Sequence, residues 1–217
     1  EEVLAQPRNI KSGKAIDIIF QKCIKEPIQP EKLLGIDRTA ILIFLRAISY
    51  SPFYEVEIKC PECLKSFSTE IHLHTLPIEP CPDDFSEDSL HDVMPTSGLK
   101  FRYRLARGKD ENEVQQHREK MNKNYGSQRD HDTQAFRMSL LITEIEGLTN
   151  KTAILQIVKR LPINDLNYVR NLVTDPPFGI DTEIDLICNS CEAEFKVDLP
   201  FESNFFFPRR KKGAPTT

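Results

Sequence analysis

Apolar and polar residues alternate on both sides of two short cysteine pairs that lie far apart in the chain. Tyr54-Glu55-Val56-Glu57-Ile58-Lys59 leads into Cys60-Pro61-Glu62-Cys63, and Phe67-Ser68-Thr69-Glu70-Ile71-His72-Leu73 leads away. Thr182-Glu183-Ile184-Asp185-Leu186-Ile187 leads into Cys188-Asn189-Ser190-Cys191, and Phe195-Lys196-Val197-Asp198-Leu199 leads away. Period-two alternation is the signature of a half-buried strand. Each pair therefore caps a strand–knuckle–strand unit. The two units match when Cys60 is laid on Cys188: Glu55 then meets Glu183, Val56 Ile184, Ile58 Leu186, Cys63 Cys191, Phe67 Phe195 and Ile71 Leu199.

Between and before these units the apolar spacing is helical. Ala15, Ile16, Ile18, Ile19, Phe20 and Cys23 predict a short amphipathic helix over 13–24, with Cys23 in its core face. Asp37 is a good cap for a stronger helix carrying Ile41, Leu42, Phe44, Leu45 and Ile48. Further helices are expected within 110–135, over Thr133–Leu148 with Gly147 as a stop, over Thr152–Leu161 capped by Asn150, and over Ile163–Val173. A break is expected near 122–132, where apolar residues are scarce. Leu99 to Leu105 alternates and predicts a third strand region with a wholly basic polar face, Lys100, Arg102 and Arg104. Residues 77–97, rich in proline and acid, are expected to form a mobile surface loop.

The resulting order is an arm and short helix (1–36), a helix and first knuckle (37–76), the acidic loop (77–97), a strand and helical middle (98–180), the second knuckle (181–208) and a basic tail (209–217). The expected fold class is α+β: a split zinc ribbon of two C-x-x-C hairpins with a helical insertion between its halves. Such a metal site ties off the 127 residues between Cys60 and Cys188, and cross-links over long loops restrict the unfolded chain most.

Composition narrows the chemistry. Lys+Arg 29 against Asp+Glu 33 gives a net charge of −4 over 217 residues, which argues against nucleic acid as the principal ligand. No run of about 18 apolar residues is present, and no charged-then-apolar N-terminal leader gives a sign of secretion. Six cysteines in such a chain point to metal or free thiols rather than a disulfide framework. Cys60, Cys63, Cys188 and Cys191 supply the four thiolates that a closed, structural zinc site needs. An iron–sulfur cluster takes the same ligands, and free thiols are the plain alternative. Cys81 lies in the acidic loop as a bystander, and His72 and His74 alone make a poor site.

No nucleophile elbow, phosphate-binding glycine loop, metalloprotease helix or dinucleotide fingerprint occurs, so no catalysis is expected. Two surfaces suggest contacts with other proteins. Phe205-Phe206-Phe207 cannot all enter one core from a strand, so they either wrap the end of the helical domain or meet a partner. The basic face of Lys100, Arg102 and Arg104 is either solvated or a dock for an acidic partner. The competing reading is a zinc-ribbon nucleic-acid binder using the tail Arg209-Arg210-Lys211-Lys212, against which the acidic net charge weighs.

The layout resembles a known family. A helix ending in Phe44-Leu45-Arg46-Ala47-Ile48-Ser49-Tyr50 runs into the first pair; later come Leu161-Pro162, Phe178-Gly179-Ile180, the second pair and a terminal Phe-Phe-Phe-Pro. This is similar to the baseplate hub and hub-assembly proteins of T-even-type contractile-tailed bacteriophages, from about Asp37 to Pro208. Leu64 and Glu192 stand where such knuckles usually have glycine, which costs some ease in the turn. The resemblance implies a structural or assembly role in the tail baseplate, other tail and baseplate proteins as partners, and a place in the host cytoplasm during assembly and in the virion tail. It implies no catalytic residues.

Overall fold

The computed structural model describes residues 14–125, 130–174, 176–201 and Phe205. In chain order the elements are helix α1 (Lys14–Cys23), helix α2 (Gly35–Ser49), strands β1 (Phe53–Lys59), β2 (Ser66–His72), β3 (Ile78–Glu79), β4 (His91–Val93) and β5 (Lys100–Tyr103). Helices α3 (Gly108–Tyr125) and α4 (Asp130–Leu141), strand β6 (Ile142–Ile145), and helices α5 (Lys151–Val158) and α6 (Ile163–Thr174) follow. Strands β7 (Gly179–Ile180), β8 (Glu183–Ile187) and β9 (Glu194–Asp198) complete the sequence. The chain divides into two units, Glu1–Arg38 with Cys81–Pro177 and Thr39–Pro80 with Phe178–Thr217, the division falling within α2. The expected arm (1–12), Phe206, Phe207 and the basic tail lie outside the described residues, as does the centre of the break expected near 122–132.

The first unit is built on the antiparallel sheet β4-β5-β6 and the helices α4, α5 and α6. Its core joins Met94 and Phe101 to Met138, Leu141, Ile142, Ile145, Ile154, Val158, Val169 and Val173. Burying an aliphatic or aromatic side chain of this size contributes about 1.5–3 kcal/mol. Asn150 caps α5 as expected, its Oδ1 accepting from the N–H groups of Thr152 (3.0 Å) and Ala153 (3.1 Å). Gly108 opens α3 where a Cβ would lie 2.6 Å from the Pro30 carbonyl oxygen, so no larger residue fits.

Two expectations in this unit are corrected. The helix expected to run to Leu148 ends at Leu141, and the chain continues as β6. Ile142 and Ile145 are spaced as on a helix, yet both are buried from a strand; Ile145 stands opposite Phe101, and Glu146 and Gly147, at φ 47° and 80°, turn the chain back. The stretch 77–97, expected as loop, contains the short strands β3 and β4, and its last residues are anchored to α6. Met94 is 1% exposed, Tyr168 donates to Asp92 (2.7 Å), and the buried Asp165 accepts from the backbone N–H groups of Thr96 (2.7 Å) and Ser97 (2.9 Å). Burial opposes ionisation of Asp165, but the hydrogen bonds from Ser97 and Thr96 outweigh it and hold the carboxyl below its ordinary value. Cys23 is exposed rather than core: it shares the helical face of the buried Ala15 and Phe20, but it is the last residue of α1.

The second unit is the duplicated one. Strands β1 and β2 pair antiparallel from Phe53↔His72 to Lys59↔Ser66; β8 and β9 pair from Glu183↔Asp198 to Ile187↔Glu194. The register is the same in both, so every inward residue of one hairpin has an inward counterpart in the other. Val56, Ile58 and Ile71 of the first hairpin share a core with Ile184, Leu186 and Val197 of the second, and Phe67 meets Phe195 edge to face (6.3 Å, 87°). The outward positions carry Glu55, Glu57, Glu183 and Asp185. The two-residue ladder β3-β7 brings the chain leaving the first hairpin beside the chain entering the second. Ile43 and Ala47 of α2 close the core together with Phe205, which packs on Tyr54 (5.0 Å, 86°), while the Tyr54 hydroxyl donates to the Pro200 carbonyl (2.8 Å).

Candidate metal centre

Each hairpin tip is a six-residue turn closed by two backbone hydrogen bonds. The Cys60 N–H donates to Lys65 O (3.0 Å) and the Leu64 N–H to Cys60 O (3.0 Å). At the second tip Cys188 N–H donates to Ala193 O (2.9 Å) and Glu192 N–H to Cys188 O (2.9 Å). Leu64 (φ 60°) and Glu192 (φ 59°) both adopt the left-handed conformation. The sequence shows these two only as departures from glycine. In the fold they are the residues that reverse each knuckle and aim its two sulfurs inward.

The four sulfurs converge. Cys60 Sγ lies 3.7 Å from Cys191 Sγ, Cys63 Sγ lies 3.6 Å from Cys188 Sγ, and all four lie within 4.8 Å of one another. Cys60 and Cys188, the first cysteine of each pair, are buried; Cys63 is half-buried and Cys191 exposed. A tetrahedral ion with metal–sulfur bonds of about 2.3 Å requires sulfur–sulfur edges of roughly 3.8 Å. The donor set and its spacing fit such an ion.

The protonation of the cluster points the same way. The backbone N–H of Ser190 donates to Cys188 Sγ (3.4 Å). This bond leads the stabilisation of the Cys188 thiolate, whose pKa falls to about 6 against the cost of desolvation. At Cys191 the Ala193 N–H favours the thiolate, but desolvation and the neighbouring sulfurs of Cys188, Cys63 and Cys60 outweigh it and push the pKa to about 12. Four crowded thiols cannot all ionise by themselves. A dication among them removes that conflict, which is why thiolate sites bind metal with release of protons.

The other residues singled out by sequence do not gather with the sulfurs. Phe205 is fully buried in the second unit's core. Of the basic set, Lys100 and Arg102 are exposed on β5, and Arg102 donates to Asp88 O (2.7 Å). Arg104 lies past the end of the strand and forks onto Asp110 (2.6 and 2.7 Å). His72 stacks on Phe53 (4.7 Å, 17°). Among the described residues, the four cysteines are the one group spaced to hold a metal ion.

An α+β protein with a duplicated cysteine hairpin is thus defined by fold and site. The family model described as T4 bacteriophage base plate protein matches residues 3–207, and the chain belongs to that family. Neither a search of characterised proteins nor a search of solved structures returned a match. Among the described residues no helix is long and apolar enough to cross a membrane.

Proposed function

We propose that this protein is a structural or assembly component of the baseplate hub, and that Cys60, Cys63, Cys188 and Cys191 hold one structural zinc ion as a split zinc ribbon. The observation that carries the reading is the convergence of four sulfurs, from two hairpins of identical register, in a chain of the baseplate family. Four protein ligands leave no position open for water, so the ion would organise shape rather than chemistry. It would tie the first hairpin to the second across the long insertion. The protein would then act through contacts with other baseplate proteins, for which Lys100 and Arg102 on β5 and the Phe206-Phe207 segment are the proposed surfaces.

Complementation tests the reading. A phage lacking this gene is supplied in trans with wild-type protein or with the Cys188→Ser variant, and tails are counted by electron microscopy. Wild-type protein should restore tails with complete baseplates, and Cys188→Ser should not. Complete baseplates in the absence of the protein would end the hub assignment. Full rescue by Cys188→Ser would end the role of the metal.

A further inference from the structure

We infer that the cysteine cluster is also a redox staple, in which a two-electron oxidant such as hydrogen peroxide converts the four thiolates into two disulfides between the hairpins, Cys60–Cys191 and Cys63–Cys188. The inference takes the proposed metal centre as its starting state.

Three observations carry it. The two close sulfur approaches, 3.7 and 3.6 Å, both run from one hairpin to the other. Each joins the sulfur of a more exposed residue to that of a buried one: exposed Cys191 to buried Cys60, and half-buried Cys63 to buried Cys188. With the metal holding all four sulfurs as thiolates, Cys191 included, each pair sets a thiolate on the more exposed residue, which meets the oxidant, beside a resolving thiolate. Finally, the pattern is repeated by the duplication, since the second cysteine of each knuckle is the more exposed one and the first is the buried one.

The chemistry balances within each pair. The thiolate of the more exposed residue attacks peroxide, the O–O bond breaks, and sulfenic acid and hydroxide form. The buried thiolate then attacks the sulfenic sulfur and expels a second hydroxide. Two thiolates and one peroxide thus give one disulfide and two hydroxides, and the metal ion leaves once its ligands are consumed. The new bonds link residues 131 and 125 positions apart. They would keep the hairpins tied after the metal is lost. Disulfides persist in oxidising settings such as virion surfaces, so a baseplate protein with this device stays closed where a thiolate site alone would be vulnerable.

The test uses the full chain with Cys23→Ser and Cys81→Ser, which removes the two exposed cysteines outside the cluster. The zinc-loaded protein is titrated with hydrogen peroxide. Released zinc is read with a chromogenic indicator, and disulfides are mapped by non-reducing proteolysis and mass spectrometry. Loss of all four thiols at about two peroxides per chain, with Cys60–Cys191 and Cys63–Cys188 peptides that disappear on reduction, is the expected result. Disulfides confined to Cys60–Cys63 and Cys188–Cys191, or sulfinic acids at Cys63 and Cys191 without disulfides, would overturn it. A protein that binds no zinc at the start would defeat the metal reading alone. The disulfide map of that same sample still decides between hairpin-to-hairpin and within-hairpin pairing.

Discussion

Replacing Leu64 and Glu192 with glycine should stabilise the protein. Both residues hold a left-handed backbone, at φ 60° and 59°. A residue with a Cβ pays roughly 1–2 kcal/mol for that conformation. Glycine does not, but it gives back about 0.5–1 kcal/mol because its unfolded chain is freer. Leu64 is 63% exposed and Glu192 is exposed, so little burial is lost with either side chain. The balance is a gain of about 0.5–1 kcal/mol per site. In a chain of this size about 1 kcal/mol moves Tm by about 2–4 °C, so the double variant should melt roughly 2–8 °C higher. Scanning calorimetry of the zinc-loaded protein measures this. Leu64→Ala is the control, since alanine keeps its Cβ and the strain with it. A gain from Leu64→Ala equal to that from Leu64→Gly, or a lower Tm for the glycine variants, would show that the knuckle backbone is not what these positions constrain.

Stripping the metal should unfold the second unit selectively: tying off 127 residues is worth about 5 kcal/mol by chain entropy, so hydrogen exchange should show protection lost in β1, β2, β8 and β9 and kept in β5, β6 and α6. Asp165→Ala leaves the Thr96 and Ser97 N–H groups without their acceptor and should cost about 3 kcal/mol in urea unfolding. Because the Asp165 pKa is lowered by folding, its contribution is complete above about pH 4 and fades as pH falls through the folded value, so the variant should lose less stability on acidification than wild type does. Arg104→Met leaves the Asp110 carboxylate, 5% exposed, without its paired charge though still accepting from the Arg107 N–H, and should cost about 2–3 kcal/mol; Arg104→Lys, which keeps the charge but not the fork, should cost less.

The hairpins were legible in the sequence because their signal is local. Strict alternation, two C-x-x-C pairs and matched flanks specify strand, tip and register together, and the helix cap at Asn150 is likewise short-range. What could not be read depends on distant partners. Ile142 and Ile145 carry a helical spacing, and only pairing with Tyr103 and Phe101 makes them a strand. The 77–97 segment reads as loop because its anchors, Asp165 and Tyr168, lie some seventy residues on. Leu99 to Leu105 reads as one basic strand face, yet the strand ends at Tyr103, and Arg104 turns to Asp110 on α3. At the cluster itself the sequence supplied the four candidate ligands, whereas the division into more exposed and buried cysteines is a property of the folded tips.

The most direct test of the four-cysteine zinc site is elemental analysis of purified protein grown with zinc, set beside Cys188→Ser. The wild type should carry about one zinc per chain. The variant should lose the metal together with the structure of the second unit. A wild-type chain free of metal, or a Cys188→Ser chain that keeps both its zinc and its full stability, would contradict the zinc site.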